Sequence, residues 1–477
     1  MKKIILFSTI FLQFVSLKAQ LFTKITDQII VQDSANSYYA SWGDYDKDGD
    51  LDLYLPVWLS SPNNPFQKGL MYQNNCNGAF TKIKAIPGGL VTEPQVGIAS
   101  YWIDYNNDGN LDLYVWGSKN ATVKNSLFKN VGDGSFTKVN NQITSFHSSH
   151  AAFADANNDG WLDVYTGDST LYINDKNGSF IKEYLPGFRM PPGADWIRYC
   201  SASWADYDND RDMDLLVIIA ANNCWQYGYR VDSNYVVAYK NDGIGNFALD
   251  TLAKYWEWGP NYGHAWGDYD NDGNLDLWIN GNSWGNYLYH NNGDGTLTKI
   301  TTGPVVANVV GSQAGAAWCD YNNDGYLDLF VPTFYQNMLY DNNGDGTFTK
   351  NTTEIVTQDT PNESYGACWA DYNNDGAMDL FVNVGWSNGN DFLYKNIIYE
   401  NNGNSNHWLK VKCIGTATNR DAIGARIYAK ATINGVSRSV MREINANTTR
   451  AGESGGASGH VVHMGFGDAD VIDTLKI

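Results

Sequence analysis

Residues Asp268 to Ile279 read DYDNDGNLDLWI. Asp268, Asp270, Asp272 and Asp276 fall at positions 1, 3, 5 and 9, with Gly273 at position 6. Side-chain oxygens from alternate residues, a glycine for the sharp turn and a backbone carbonyl just after it are what a loop needs to wrap a hard divalent cation. One copy would be an ordinary Asp/Asn/Gly loop. The chain carries seven.

The other six begin at Asp44, Asp104, Asp155, Asp206, Asp320 and Asp371, so the repeat is 51 to 62 residues long. Their candidate metal ligands are Asp44, Asp46, Asp48 and Asp52; Asp104, Asn106, Asp108 and Asp112; Asp155, Asn157, Asp159 and Asp163; Asp206, Asp208, Asp210 and Asp214; Asp320, Asn322, Asp324 and Asp328; and Asp371, Asn373, Asp375 and Asp379. A period of this size, filled with short strands, signals a propeller or a similar array.

Each unit repeats one internal order. A small-residue and aromatic run (GHAWGDY) enters the loop and an apolar strand (LDLWING) leaves it. A third strand (LYHNN) then reaches a Gly-Asp-Gly turn and a fourth (GDGTLTKI), a good hairpin signal. Four strands in each of seven units predict an all-β, seven-bladed β-propeller over residues 20–405. The opening LFTKIT, Leu21 to Thr26, matches a fourth strand with no first three before it, while the last unit supplies only three. The N-terminal strand is therefore expected to complete the last blade and remove two open sheet edges. Insertions at Pro56 to Leu70 and Ala220 to Tyr235 both follow a second strand and should project from one face. Beyond about residue 405 the period stops, and short alternating runs (WLKVKCIG, ARIYAKATI, SVMREIN, VVHMGFG) predict a small second β domain over 406–477.

The formal charge is −20, from 52 acids against 32 bases. Such a surface repels nucleic acid and anionic membranes. Half of the acids lie in the seven loops, so the acidity is mostly metal-binding capacity. Lys2 and Lys3, an apolar run from Ile4 to Val15 and a Lys-Ala-Gln ending read as a signal peptide over residues 1–19, too short for a membrane span. The expectation is an exported, secreted or cell-surface protein. Of the six cysteines, Cys319 and Cys368 read as buried free thiols, and Cys200 and Cys224, flanking one repeat, are a possible disulfide pair.

Position 12 of the loops holds Leu55, Val115, Thr166, Val217, Ile279, Val331 and Val382, never the bidentate glutamate of an EF-hand. Asp at position 9 closes the set instead. All-oxygen ligation favours calcium over zinc or copper, with up to seven sites. In the loop at Asp206, Arg211 replaces the turn glycine, an awkward residue where φ must be positive. Seven equivalent ions suit a structural role, whereas metal catalysis needs one exceptional open site. GESGG, Gly452 to Gly456, matches a nucleophile-elbow pattern only formally, because its Gly/Ser-rich surroundings are not strand–turn–helix. No catalytic residue is assigned.

Trp42, Trp102, Phe153, Trp204, Trp266, Trp318 and Trp369 stand two residues before the loops, and that regularity marks blade core. Trp58, Trp116, Trp225, Trp284 and Trp386 follow second strands, and Trp196, Trp256 and Trp258 precede first ones. These eight belong at the end of the blades away from the loops, where they cap the blades or form a face for sugar stacking or a protein anchor.

The repeats, as in AWGDYDNDGNLDLWING and LYHNNGDGTLTKI, are similar to FG-GAP/VCBS repeats, which build the seven-bladed propeller of integrin α chains and related secreted proteins. NRDAIGARIYA and VVHMGFGDADVIDTLKI resemble the ASPIC/UnbV domain that follows such repeats. The resemblance implies calcium on the loop face and ligands on the other. That domain usually continues into Trp-Pro-x-Gly, so a truncated copy is expected at Ile477. The expected function is a calcium-stabilised binding or adhesion module for a protein or glycan, not an enzyme. The alternative is a carbohydrate-binding, lectin-like or polysaccharide-processing component.

Overall fold

The computed structural model describes residues 20–57, 68–75, 78–92, 97–117, 124–145, 150–167, 170–186, 196–226, 229–250, 263–281, 285–307, 315–360, 363–385, 394–446 and 460–477. Residues 1–19, read above as a signal peptide, lie outside them. Among the described residues there are seven four-stranded antiparallel sheets, an arrangement that fits a β-propeller. The blade around Asp268 shows the plan. His264–Gly267, Asp276–Ile279, Tyr287–Asn291 and Leu297–Ile300 pair in sequence order, and every residue of the first two strands is buried. Strands buried on both faces read as continuous apolar runs, which is why LDLWI does not alternate.

The seventh sheet is completed from the N-terminus. Phe22–Ile25 pairs with Ile397–Asn401 in the register Phe22↔Asn401 to Ile25↔Ile398. Phe22, 2% exposed, packs against Tyr321 and Trp369 as Phe348 packs against Tyr269 and Trp318 one sheet earlier. Buried Glu354 accepts the Leu21 and Phe22 amides at 3.0 and 3.2 Å and holds the strand's entry.

Neighbouring sheets are joined by a repeated aromatic step. Loop residue Tyr45 stacks on Trp102, Tyr207 on Trp266, Tyr269 on Trp318, Tyr321 on Trp369, and Tyr372 on Trp42, with interplanar angles of 20° or less. The last pair joins the seventh sheet to the first, so the array closes. The regular tryptophans are blade core, as their spacing predicts.

The insertion Ala220 to Tyr235 extends one blade. Asp214–Gln226 and Tyr229–Asn241 form a hairpin paired to Gln226↔Tyr229, with a register shift between Ala221 and Cys224. Its tip lies at the strand end opposite the Asp206 loop. Beyond the blades, His407–Lys412 pairs with Val461–Gly467, and Val436–Glu443, Arg426–Ile433 and Ile472–Lys476 form a three-stranded sheet. These strands do not stand apart. Ile423, Ile427 and Val440 share one apolar core with Met213 and Leu162, and Met441 packs with Tyr207 and Leu275.

Candidate metal-loop face

The seven loops share one backbone path. Position 4 is left-handed in all, from Asn107 and Asn158 (φ 55°) to Asn209 (φ 65°), and position 6 is left-handed as well. Asparagine tolerates that region better than most residues, glycine best of all. Arg211 occupies position 6 of its loop at φ 78°, so the awkward conformation expected there is real. The position-1 carboxylate pins the turn. Asp104, Asp155, Asp320 and Asp371 each accept the amides of positions 5 and 6 at 2.6 to 3.0 Å.

Two sets of side chains tie each loop to the next sheet. The backbone amide of the asparagine ending the third strand donates to the position-9 carboxylate, as Asn291 does to Asp276 at 2.8 Å. Its side-chain amide donates to the loop of the preceding blade: Asn291 to the Tyr207 carbonyl at 2.7 Å, Asn342 to Tyr269, Asn401 to Tyr321 and, closing the ring, Asn74 to Tyr372 at 2.6 Å. Asn130, Asn174 and Asn241 do the same at 2.8 Å. The position-4 side chain reaches the opposite way, for example Asn107 to the Gly160 carbonyl and Asn374 to Asp50. The asparagine of LYHNN reads as a turn residue in sequence. Its inter-blade role shows only in three dimensions.

The position-9 carboxylates are buried and crowded. Asp52, Asp112, Asp163, Asp214, Asp276, Asp328 and Asp379 are all at most 2% exposed. Burial pushes Asp52 and Asp214 up to about 9, Asp276 to about 7, and Asp112, Asp163, Asp328 and Asp379 well above the usual carboxylate range. Asp112, Asp214 and Asp328 each leave Oδ2 buried without a hydrogen-bond partner, and Asp206 and Asp268 leave Oδ1. Buried anionic oxygens without partners are costly, and a divalent ion is the chemistry that satisfies them. Ligand atoms of Asp44, Asp46 and Asp48, of Asp206, Asp208 and Asp210, and of Asp268, Asp270 and Asp276 lie within 4.8 Å of one another. The residues fit a hard cation of the calcium type, whose binding there would neutralise the crowded acids and close the hairpin tip.

The loops are not alike in their surroundings. The residue before the clasping asparagine leans on the loop: Gln73 on Asp46, Lys129 on Asp108, Lys240 on Asp208, His290 on Asp270 and Asp276. Asp341 and Glu400 occupy that place in the last two blades, bonded to Tyr321 and Tyr372. The His290 imidazole is raised to about 9, first by its hydrogen bond to Asp276.

A larger surprise is what covers these loops. Lys410 pairs with Asp371, Lys412 with Asp44 at 3.8 Å, and Arg426 with Asp206 at 3.6 Å. The Gly465 amide donates to Asp320 Oδ2 at 3.0 Å, and His463 bonds Asn323 at 2.6 Å. The C-terminal strands sit on the loop face.

The aromatic candidates fare differently. Trp116 is 2% exposed and packs edge-on against His150 in the core shared by three blades. Its place on an open ligand face is therefore corrected: the residue fills the interior. Trp196 and Trp225 lie on strands, paired with Asn222 and Arg230, but their side chains fall outside the described residues. Trp58, Trp256, Trp258, Trp284 and Trp386 also lie outside them, as does GESGG. Cys319 and Cys368 are buried and, among the described residues, form no disulfide; the side chains of Cys200 and Cys224 are not among those described.

The FG-GAP-like repeat family is matched by residues 104–166, 268–331 and 320–382. No curated protein matches the chain. Among solved structures, the chain is similar to an Agrocybe aegerita lectin that recognises non-reducing terminal N-acetylglucosamine, at 16% identity over 68% of this chain and 82% of that one, with a TM-score of 0.46. It is also similar to BBS1N in its complex with ARL6DN, at 9% identity over 80% and 97%, TM-score 0.45. A third is the V. cholerae biofilm matrix protein Bap1, at 11% identity over 80% and 91%, TM-score 0.39. Among the described residues, no helix is long and apolar enough to cross a membrane.

Proposed function

We propose that this chain is an exported β-propeller whose loops hold calcium as structural ions and whose role is to bind a protein or glycan partner without chemistry. One observation carries the calcium reading: buried position-9 and position-1 carboxylates with partnerless oxygens recur on equivalent backbone turns. Repetition also argues against catalysis. The loops differ in outer neighbours but share one path, and their openings lie under the C-terminal strands. Asp44, Asp104, Asp155, Asp206, Asp268, Asp320 and Asp371, with positions 3, 5 and 9 of each loop, would hold the ions.

Metal binding to the folded state is folding free energy. Chelation is expected to lower the melting temperature by many degrees, with calcium restoring it and magnesium doing so poorly. An unchanged melt would refute the calcium reading. A glycan array read with calcium and with chelator, beside a protein-partner screen on the same chain, tests the binding reading. Catalytic turnover of a bound glycan would overturn the non-enzymatic part.

A further inference from the structure

The C-terminal strands meet the loops unevenly, and the unevenness follows the acids. Five loops carry acid beyond the three aspartates common to all. In the loops at Asp44, Asp206 and Asp268 it includes the aspartate at position 3, namely Asp46, Asp208 and Asp270, and the first two add Asp50 and Asp212 at position 7. In the loops at Asp320 and Asp371 it is the third-strand acid, Asp341 or Glu400. Three of these five form ion pairs with cations of the C-terminal strands. Lys412 faces Asp44, and Lys410 pairs with Asp371. Arg426 faces Asp206 and donates to its carbonyl, while also pairing with buried Glu443 at 2.9 Å. Arg442, fully buried, acts electrostatically on both Asp268 and Asp320. Arg438 acts on Asp324 from over the Tyr326 ring.

The two remaining loops, at Asp104 and Asp155, have asparagine at position 3 and a lysine of their own blade, Lys129 or Lys176, on the position-5 aspartate. They gain no net charge from the C-terminal strands. Arg420, 3.9 Å from Asp104, arrives beside Asp421, whose Oδ2 accepts the Asp104 amide at 2.6 Å. At the Asp155 loop, backbone atoms of Ala417 and Thr418 stand 3.6 to 3.8 Å from where a Cβ on Gly160 would lie. Three carboxylates less one lysine leave two negative charges in each of these loops. That is the charge of one divalent ion. The Asp44 loop keeps more, with five carboxylates at Asp44, Asp46, Asp48, Asp50 and Asp52, one of which Lys412 offsets.

We propose that residues 407–446 and 460–477 form a metal-linked cap, whose lysines and arginines offset part of the loops' surplus acid so that a seated cap and a divalent ion in each loop stabilise one another. This rests on the calcium reading above. The direction follows from burial. Under the cap, the position-1 carboxylates Asp104, Asp268, Asp320 and Asp371 are at most 2% exposed. Sealing them from water is tolerable only when their charge is cancelled, and the cap's few cations are too little alone. With calcium bound, the remainder is small. Without calcium, the seat covers acids that need water.

The test is hydrogen exchange on the full chain, in excess calcium and in chelator, read at Arg426–Ile433, Val436–Glu443 and Val461–Gly467, with limited proteolysis of the link 402–406. Chelation is expected to raise exchange in those three strands at least tenfold and to open the link, with calcium reversing both. A second arm uses the Lys410→Gln/Lys412→Gln double variant in saturating calcium, where the same strands are expected to lose protection, while Lys138→Gln, on an outer strand, keeps it. A melting temperature that falls on chelation while the cap strands keep their protection would overturn the cap proposal and leave the calcium reading standing. Neither quantity moving would overturn both. Full protection in the double variant would show that the cap seats without its cations, and so overturn the proposal as well.

Discussion

Replacing Asn291 with alanine probes the inter-blade clasp directly. Its side chain donates to the Tyr207 carbonyl at 2.7 Å and the Leu275 carbonyl at 3.0 Å, and accepts the Gly293 amide at 3.0 Å. The residue is fully buried. Three hydrogen bonds at a net of about 1 kcal/mol each give about 3 kcal/mol, and leaving buried carbonyls unpartnered raises the expected loss to about 3–5 kcal/mol. The neighbouring Asn292→Ala removes an exposed contact to Thr296 and should cost about 0.5 kcal/mol or less. Urea unfolding in excess calcium measures both. The decisive comparison is Asn74→Ala, whose bond to the Tyr372 carbonyl joins the first sheet to the seventh. If the ring is closed, it costs about 2–4 kcal/mol, a little less than Asn291→Ala because Asn74 Oδ1 accepts no amide. A loss below about 0.5 kcal/mol at Asn74, with a large one at Asn291, would refute the closed ring; a small loss at both would refute the clasp itself.

Other outcomes follow from the same geometry. Glu354→Ala removes the acceptor of the Leu21 and Phe22 amides, so exchange at Phe22–Ile25 should rise well before the other blades respond; uniform change would argue against a local tether. Asp276→Ala should lower the calcium-loaded melting temperature more than Asp214→Ala, because the Asp214 loop already carries Arg211 and Lys240; equal losses would count against that ranking. In chelator, stability should fall as pH rises. Burial raises Asp52 and Asp214 from 3.8 to about 9, so their contribution is fully present below about 3.8 and is lost as pH climbs through about 9. A chelated melt that rises between pH 6 and 9 would contradict that sign.

The fold was legible because its signal is periodic. Seven copies of one loop placed the blades, and LFTKIT placed the closing strand where Phe22↔Asn401 pairing puts it. What escaped the sequence lies in contacts with no local period. The clasping asparagine and its acceptor are separated by as many as 85 residues or by the chain's whole circuit. Trp116 breaks the regular tryptophan spacing and so reads as exposed, yet His150 covers it. In HWLKVK the alternation puts lysines 410 and 412 on one side, a pattern that reads as a solvated strand face. That face instead meets Asp371 and Asp44. Periodicity says which side of a strand is polar; it does not say whether water or another carboxylate stands opposite.

The cap changes how any calcium dependence of binding has to be understood. With residues 407–446 and 460–477 over the loop face, an ion there is poorly placed to bridge directly to a large partner. The opposite end of the blades is where the hairpin Asp214–Gln226 and Tyr229–Asn241 rises. A partner bound at that end would depend on calcium only through the ring that holds the blades together. Affinity should then survive chelation at temperatures below the melt of the chelated form and vanish across that melt. A bridging ion predicts loss at every temperature. Measuring the proposed partner's affinity in chelator on both sides of that transition separates the two, and loss below it would return the binding site to the loops.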